Sequence, residues 1–274
     1  MTDAPSFPEA SSRRSFLKGL GVAAATGGLI SAPGLQVTNA HSTEANGLAA
    51  SSLSRAPAPQ VAADPTDVPP PVDWEDPKVH DVTLTAEETV AEIEPGVEFK
   101  YMTFGGRIPG PMIRLRQGDT IQFTLENLPE SMRPHCIDFH AVYGTGGGAE
   151  ATMAPPGMSQ SISFKATYPG AFIYHCAVPN LDQHISSGMF GMIVVEPKEG
   201  LPSVDRELYL GQQEVYTDKP TGEKGKHGFD FEAMKREDPT YVLLNGQRHA
   251  LTESGFGAVK TKVGETVRVF FVNG

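Results

Sequence analysis

Four of the eight histidines, His135, His140, His175 and His184, lie between positions 135 and 184, with Cys176 among them and Met189 just beyond. The segment Cys176-x7-His184-x4-Met189, with His135 upstream, offers one thiolate, two imidazoles and one thioether. Two histidines and a cysteine in a trigonal set, completed by a weak axial methionine, make a blue-copper electron-transfer site. A core cysteine, or a Cys136–Cys176 disulfide in an exported protein, would account for Cys176 alone. Core filling would account for Met189 alone. Neither explains all four residues at these spacings.

The other two histidines point to a second centre. His175 and Cys176 are neighbours on an apparent strand, Phe172–Cys176, so their side chains leave opposite faces. His135 and His140 are an odd number of residues apart and also diverge if their strand is regular. Parity therefore groups His135 with Cys176, and His140 with His175. Asp138, two residues from His140, shares its face. Two imidazoles beside a carboxylate suit a copper with an open position. Asp138 is then either a catalytic proton donor or a carboxylate that orients a histidine. The covalent link between His175 and Cys176 is an electron path between the two centres. Cys136 should turn away from the first centre, as a packing residue or free thiol.

These residues need rigid elements to hold them. In the chain of 274 residues, apolar and polar residues alternate in short runs such as Val82–Thr85, Met112–Arg116, Thr120–Leu125, Ser161–Phe164 and Met192–Val195, broken by Gly, Pro and Asn. That is strand patterning for an antiparallel β-sandwich. The one helical stretch expected is Asp230–Arg236. Ile113–Asn127 and Val259–Asn273 form an internal repeat, each with a Gly-acid-Thr turn, and Phe104-Gly-Gly has a looser echo in Leu244-Asn-Gly. Two similar sandwiches in tandem follow, the second incomplete.

Residues 1–40 read as a twin-arginine signal peptide. Arg13-Arg14 precedes an apolar stretch too short for a membrane span, with a small-residue cleavage site near Ala40. Residues 41–72, rich in Ala, Pro, Ser and Thr, read as a disordered linker, with order starting near Trp74. The mature chain is expected to be periplasmic, with no membrane span. A formal charge of −11 argues against nucleic acid and suits a basic redox donor. Two cysteines exclude a disulfide scaffold or a four-cysteine zinc site.

The motifs Ile108-Pro-Gly-Pro-Met112, Pro134-His135-x2-Asp138-Phe-His140, Tyr174-His175-Cys176-Ala177 and His184-Ile-Ser-Ser-Gly188-Met189 resemble those of copper-containing nitrite reductases. The resemblance implies an all-β protein of tandem cupredoxin-like Greek-key sandwiches, here spanning 73–197 and 198–274. It implies a homotrimer that reduces nitrite to nitric oxide in denitrification, with electrons from a donor protein (a cupredoxin or c-type cytochrome). His135, Cys176, His184 and Met189 would hold the type 1 copper. His140 and His175 would hold the type 2 copper, with Asp138 relaying protons. The family's third type 2 histidine, on a neighbouring subunit, and its catalytic histidine fall beyond Gly274; His227 and His249 do not match them. Two rivals remain. A laccase-like multicopper oxidase needs His-x-His pairs, which His135-x4-His140 and Cys176-Ala177 do not supply. A non-enzymatic blue-copper carrier has no use for Asp138, His140 and His175.

Overall fold

The computed structural model describes residues 60–144 and 146–274; the twin-arginine segment and residues 41–59 of the expected linker lie outside the described residues. Twelve strands and two short helices follow in order. They are β1 (Val79–Glu94), β2 (Val97–Phe104), β3 (Ile113–Arg116), β4 (Thr120–Asn127), β5 (Asp138–Phe139), β6 (Ser159–Lys165), β7 (Gly170–His175), α1 (Leu181–Ser186), β8 (Phe190–Glu196), β9 (Arg206–Val215), β10 (Gly225–His227), α2 (Phe231–Lys235), β11 (Tyr241–Leu244) and β12 (Val267–Asn273).

One sandwich is built from the sheets β10-β2-β1-β4-β6 and β3-β8-β7-β5. Leu84, Phe104, Leu115, Phe123, Phe139, Tyr174 and Ile193 fill the space between them. The sheets are mixed. β1 runs parallel to β4, and β3 runs parallel to β8, where simple alternation predicts antiparallel pairs throughout. Alternation within one strand reports which face is buried and carries no information about the neighbour's direction. β8 is buried along its whole length. Ile193 and Val195 face this core, while Phe190, Met192 and Val194 face a second core with Tyr209, Leu243 and Phe270. An unbroken apolar run is the signature of a strand covered on both faces.

The repeat is visible in three dimensions. The order β2-β1-β4 recurs as β11-β9-β12, with one antiparallel and one parallel pairing in each. Gly118 and Gly264 both adopt positive φ, 101° and 93°. In both turns the acid side chain closes back three residues: Arg116 N–H donates to Asp119 Oδ2 (2.9 Å) and Lys262 N–H to Glu265 Oε2 (2.8 Å). The echo at Phe104 and Leu244 is equally exact in kind, since Phe104↔Arg107 and Leu244↔Gln247 are each bridged across two positive-φ residues. The copies diverge at 259–262, which forms no strand, whereas Ile113–Arg116 pairs with β8. No strand among the described residues pairs with 259–262, and a backbone without a partner has no ladder to join.

The part of the linker from 60 to 72 is ordered, contrary to the sequence reading. Val61 and Ala63 are buried, and Ala63 N–H donates to Ile108 O at 3.0 Å. Asn245 Nδ2 donates to Ala63 O (2.9 Å), and Tyr209 N–H to Pro65 O (2.8 Å). The segment is too poor in apolar residues to make a core, but it needs none, because two small side chains dock into one already formed. Helix α2 falls where expected, capped by the Asp230 side chain. Among the described residues no helix is long and apolar enough to cross a membrane.

Candidate metal centres

The first cluster brings His135, Cys176 and His184 together, each offering a ligand atom within 4.8 Å of the others and all buried. Cys176 Sγ lies 3.4 Å from His184 Nδ1 and 3.8 Å from His135 Nδ1. Cys176 follows the last residue of β7. His184 comes from α1, a six-residue helix too short for sequence periodicity to reveal. Met189 is fully buried and tied to both, its N–H donating to His184 O (3.0 Å) while its C=O accepts from Cys176 N–H (3.1 Å). His135 is not on a regular strand. It sits on an isolated bridge to Ala154, three residues before the two-residue β5. The structure brings together the histidines that strand parity grouped, although 135–140 is not the regular strand that parity assumes.

Burial pushes both imidazoles down to about 4, with Glu88 opposing at His135 and the neighbouring His135 adding to the effect at His184. At neutral pH both rings are uncharged and keep a lone pair for a metal. Burial pushes the Cys176 thiol well up, although the backbone N–H groups of Cys136 and Val178 favour its anion. A thiolate in such a place needs a cation beside it. Cys136 is a free, buried thiol, as expected, and lies outside the cluster. It is closer to Cys176 than strand parity suggests, since the two thiols interact.

The second cluster joins Asp138, His140 and His175 within the same 4.8 Å limit, with His140 exposed and the other two half-buried. Register accounts for it. Asp138 stands opposite His175 across the β5–β7 ladder, and His140 N–H donates to Ile173 O at 3.1 Å. The two Nε2 atoms converge to 3.0 Å. His175 Nδ1 lies 3.1 Å from Cys176 O, so this nitrogen carries the proton and Nε2 is left with its lone pair. Gly147 packs against Asp138 so closely that a Cβ there would collide with Asp138 Oδ1.

Of the candidate site residues, His135, Cys176 and His184 fall in the first cluster, Asp138, His140 and His175 in the second, and Met189 is bonded to the first through its backbone. Sequence reasoning missed Glu88, whose side chain is 1% exposed and whose Oε1 lies 3.6 Å from His135 Nε2. The signal was present, because Glu88 shares strand parity with the core residues Leu84 and Ala86.

A multicopper oxidase family model matches residues 85–200. A copper-containing nitrite reductase of Rhizobium meliloti is 36% identical over 280 residues, covering 94% of this chain and 72% of that protein. The chain belongs to the copper-containing nitrite reductase family. A Neisseria meningitidis member is 47% identical over 208 residues, 76% of this chain; the matched region spans 53% of that relative, about half its length. A solved copper nitrite reductase from Nitrosomonas europaea superposes with a TM-score of 0.62 at 36% identity, covering 71% of this chain and 67% of its own. The fold is accordingly all-β and cupredoxin-like. Copper is the metal that the first donor set fits: one soft thiolate, two imidazoles and a nearby thioether.

Proposed function

We propose that the complete protein reduces nitrite to nitric oxide, taking up one electron and two protons and releasing water. His135, Cys176, His184 and Met189 would hold a type 1 copper that receives electrons from a donor protein. His140 and His175 would hold a type 2 copper, completed by a residue from elsewhere in a homotrimer. The observation that carries this reading is that adjacent residues, His175 and Cys176, belong to different clusters, so one peptide unit joins an electron-accepting centre to a solvent-open one.

Copper, when bound, supplies the redox electron and a Lewis-acidic centre for the anion. The chain does the rest. Cys176 O fixes the His175 ring with Nε2 outward. Asp138 faces the two Nε2 atoms and is placed to hand a proton to an oxygen of nitrite lying between them. The exposed edge of His140 leaves a way in for a small anion. The multicopper oxidase alternative is disfavoured by Ala177 following Cys176 and by four residues separating His135 from His140. The twin-arginine segment supports a periplasmic location, where a redox donor protein would meet the type 1 face.

The test is copper content, visible spectrum and nitrite turnover of the natural full-length protein. Two coppers per chain, an intense thiolate-to-copper band lost in Cys176→Ala, and nitric oxide formed from nitrite are the expected results. One copper per chain with no turnover would make the protein a carrier and overturn the proposal.

A further inference from the structure

We infer that Glu88, held by Lys100, is a positioning residue for the type 1 centre, fixing which His135 nitrogen faces the metal and setting the charge behind it. This rests on the type 1 reading above. Glu88 lies on the core-facing side of β1, opposite Met102 of β2. A lone carboxylate on the strand face that carries the core residues Leu84 and Ala86 is costly to bury unless it is paired. Among the described residues, three polar groups approach the Glu88 carboxylate. Met132 N–H donates to Oε1 at 2.9 Å, Lys100 Nζ stands 2.5 Å from Oε2, and His135 Nε2 lies 3.6 Å from Oε1.

The third contact is the informative one. His135 Nε2 is buried without a hydrogen-bond partner among the described residues, while the ring's other nitrogen points toward Cys176 Sγ. At 3.6 Å the Glu88 contact is longer than a hydrogen bond. A buried imidazole N–H closes on an acceptor beside it, because the alternative is an unsatisfied donor. The proton then resides on Nε2 and the lone pair on Nδ1, the tautomer a metal ligand needs. Lys100, whose side chain is 35% exposed, offsets the carboxylate from the far side and also donates to Met132 Sδ (3.2 Å). The result is a cation–carboxylate–imidazole chain running from the surface to the buried cysteine.

The two ends of this chain act on the centre with opposite sign. Removing the negative charge with Glu88→Gln should weaken cupric binding relative to cuprous by about tenfold, which raises the type 1 potential by about 59 mV. Removing the cation with Lys100→Gln leaves the carboxylate less compensated and should lower the potential. Redox titration of the blue band in the full-length holoenzyme reads both. In the metal-free protein, ¹⁵N NMR should find His135 protonated at Nε2 in the native chain and a mixture of tautomers in Glu88→Gln. Potentials that move the same way in both variants, or not at all, would overturn the inference, as would an unchanged tautomer. A native protein without a blue band would instead overturn the type 1 reading, so the two failures are distinguishable.

Discussion

Replacing Gly147 by alanine should damage the Asp138 site and spare the cysteine site. Gly147 has φ 43°, and a Cβ built on it would collide with Asp138 Oδ1 and stand 2.6 Å from Phe139 O and 2.7 Å from Phe139 N. Ordinary contact begins near 3.4 Å, so Phe139 O must retreat by about 0.8 Å, and Asp138 by more. The Phe139 N–H to Gly147 O hydrogen bond (3.0 Å) ties the loop to β5, so the displacement falls on the residue beside Asp138. Misplacing a catalytic group by about 1 Å costs up to about a hundredfold in rate. Left-handed backbone strain contributes only about 1–2 kcal/mol to folding. Gly146→Ala is the control. It has φ 69° and thus similar strain, but nothing lies within 4 Å of its Cβ. Nitrite turnover and the blue band should be measured for both variants in the full-length protein. Gly147→Ala should lose roughly ten- to a hundredfold in turnover with the band intact, and Gly146→Ala should keep both. Equal turnover in the two would refute the steric argument, because strain alone would then explain the loss.

Asp138→Asn should keep both coppers and the blue colour while losing most turnover, by about 10²–10⁴-fold if the carboxylate is the proton donor. Unchanged steady-state rates would exclude that role. Arg114 bonds Glu196 at 2.5 Å with both side chains 1% exposed, and also bonds Glu207 at 2.6 Å and the Pro69 carbonyl at 2.7 Å. Arg114→Met should therefore lower unfolding free energy by about 3–5 kcal/mol, since it strands a buried Glu196 charge. In urea melts the double variant with Glu196→Gln should lose less than the single one. Burial works to raise the Asp119 carboxyl, but the N–H groups of Lys78 and Arg116, with His80 and Trp74, hold it below its usual value; Arg114 and Arg268 do the same for Glu207. A depressed folded-state pKa gives stability that is present above the unfolded value and lost as pH falls through the folded one. Stability should thus decline below about pH 4, with a shallower decline in Asp119→Asn.

The two side-chain clusters were legible in the sequence because the combination of residue types is rare and largely local. Cys176, His184 and Met189 sit on one short segment, and the His175–Cys176 alternation follows from strand geometry alone. The repeat was legible for a similar reason, since a Gly-acid-Thr turn needs a positive φ and a carboxylate that folds back on it. The features that stayed hidden depend on partners distant in sequence. The 60–72 strap is ordered by Ile108, Tyr209 and Asn245, none of which its own composition announces. The parallel pairing of β1 with β4 joins strands distant in sequence, and alternation within either one does not encode it.

Glu88 marks the boundary between these two kinds of information. Its inward parity beside Leu84 and Ala86 shows from sequence that a charge enters the core, and a charge in a core requires a partner. Which partner it has is decided by β2, which sets Lys100 on one side, and by the irregular segment before β5, which sets His135 on the other. Had 135–140 been a regular strand, side-chain parity would still have separated His135 from His140. The isolated bridge at Ala154 does more, because it anchors His135 by its backbone N–H and C=O (3.1 and 2.8 Å) and leaves the ring's remote nitrogen without a backbone acceptor. The carboxylate from β1 is therefore the group left to orient that ring.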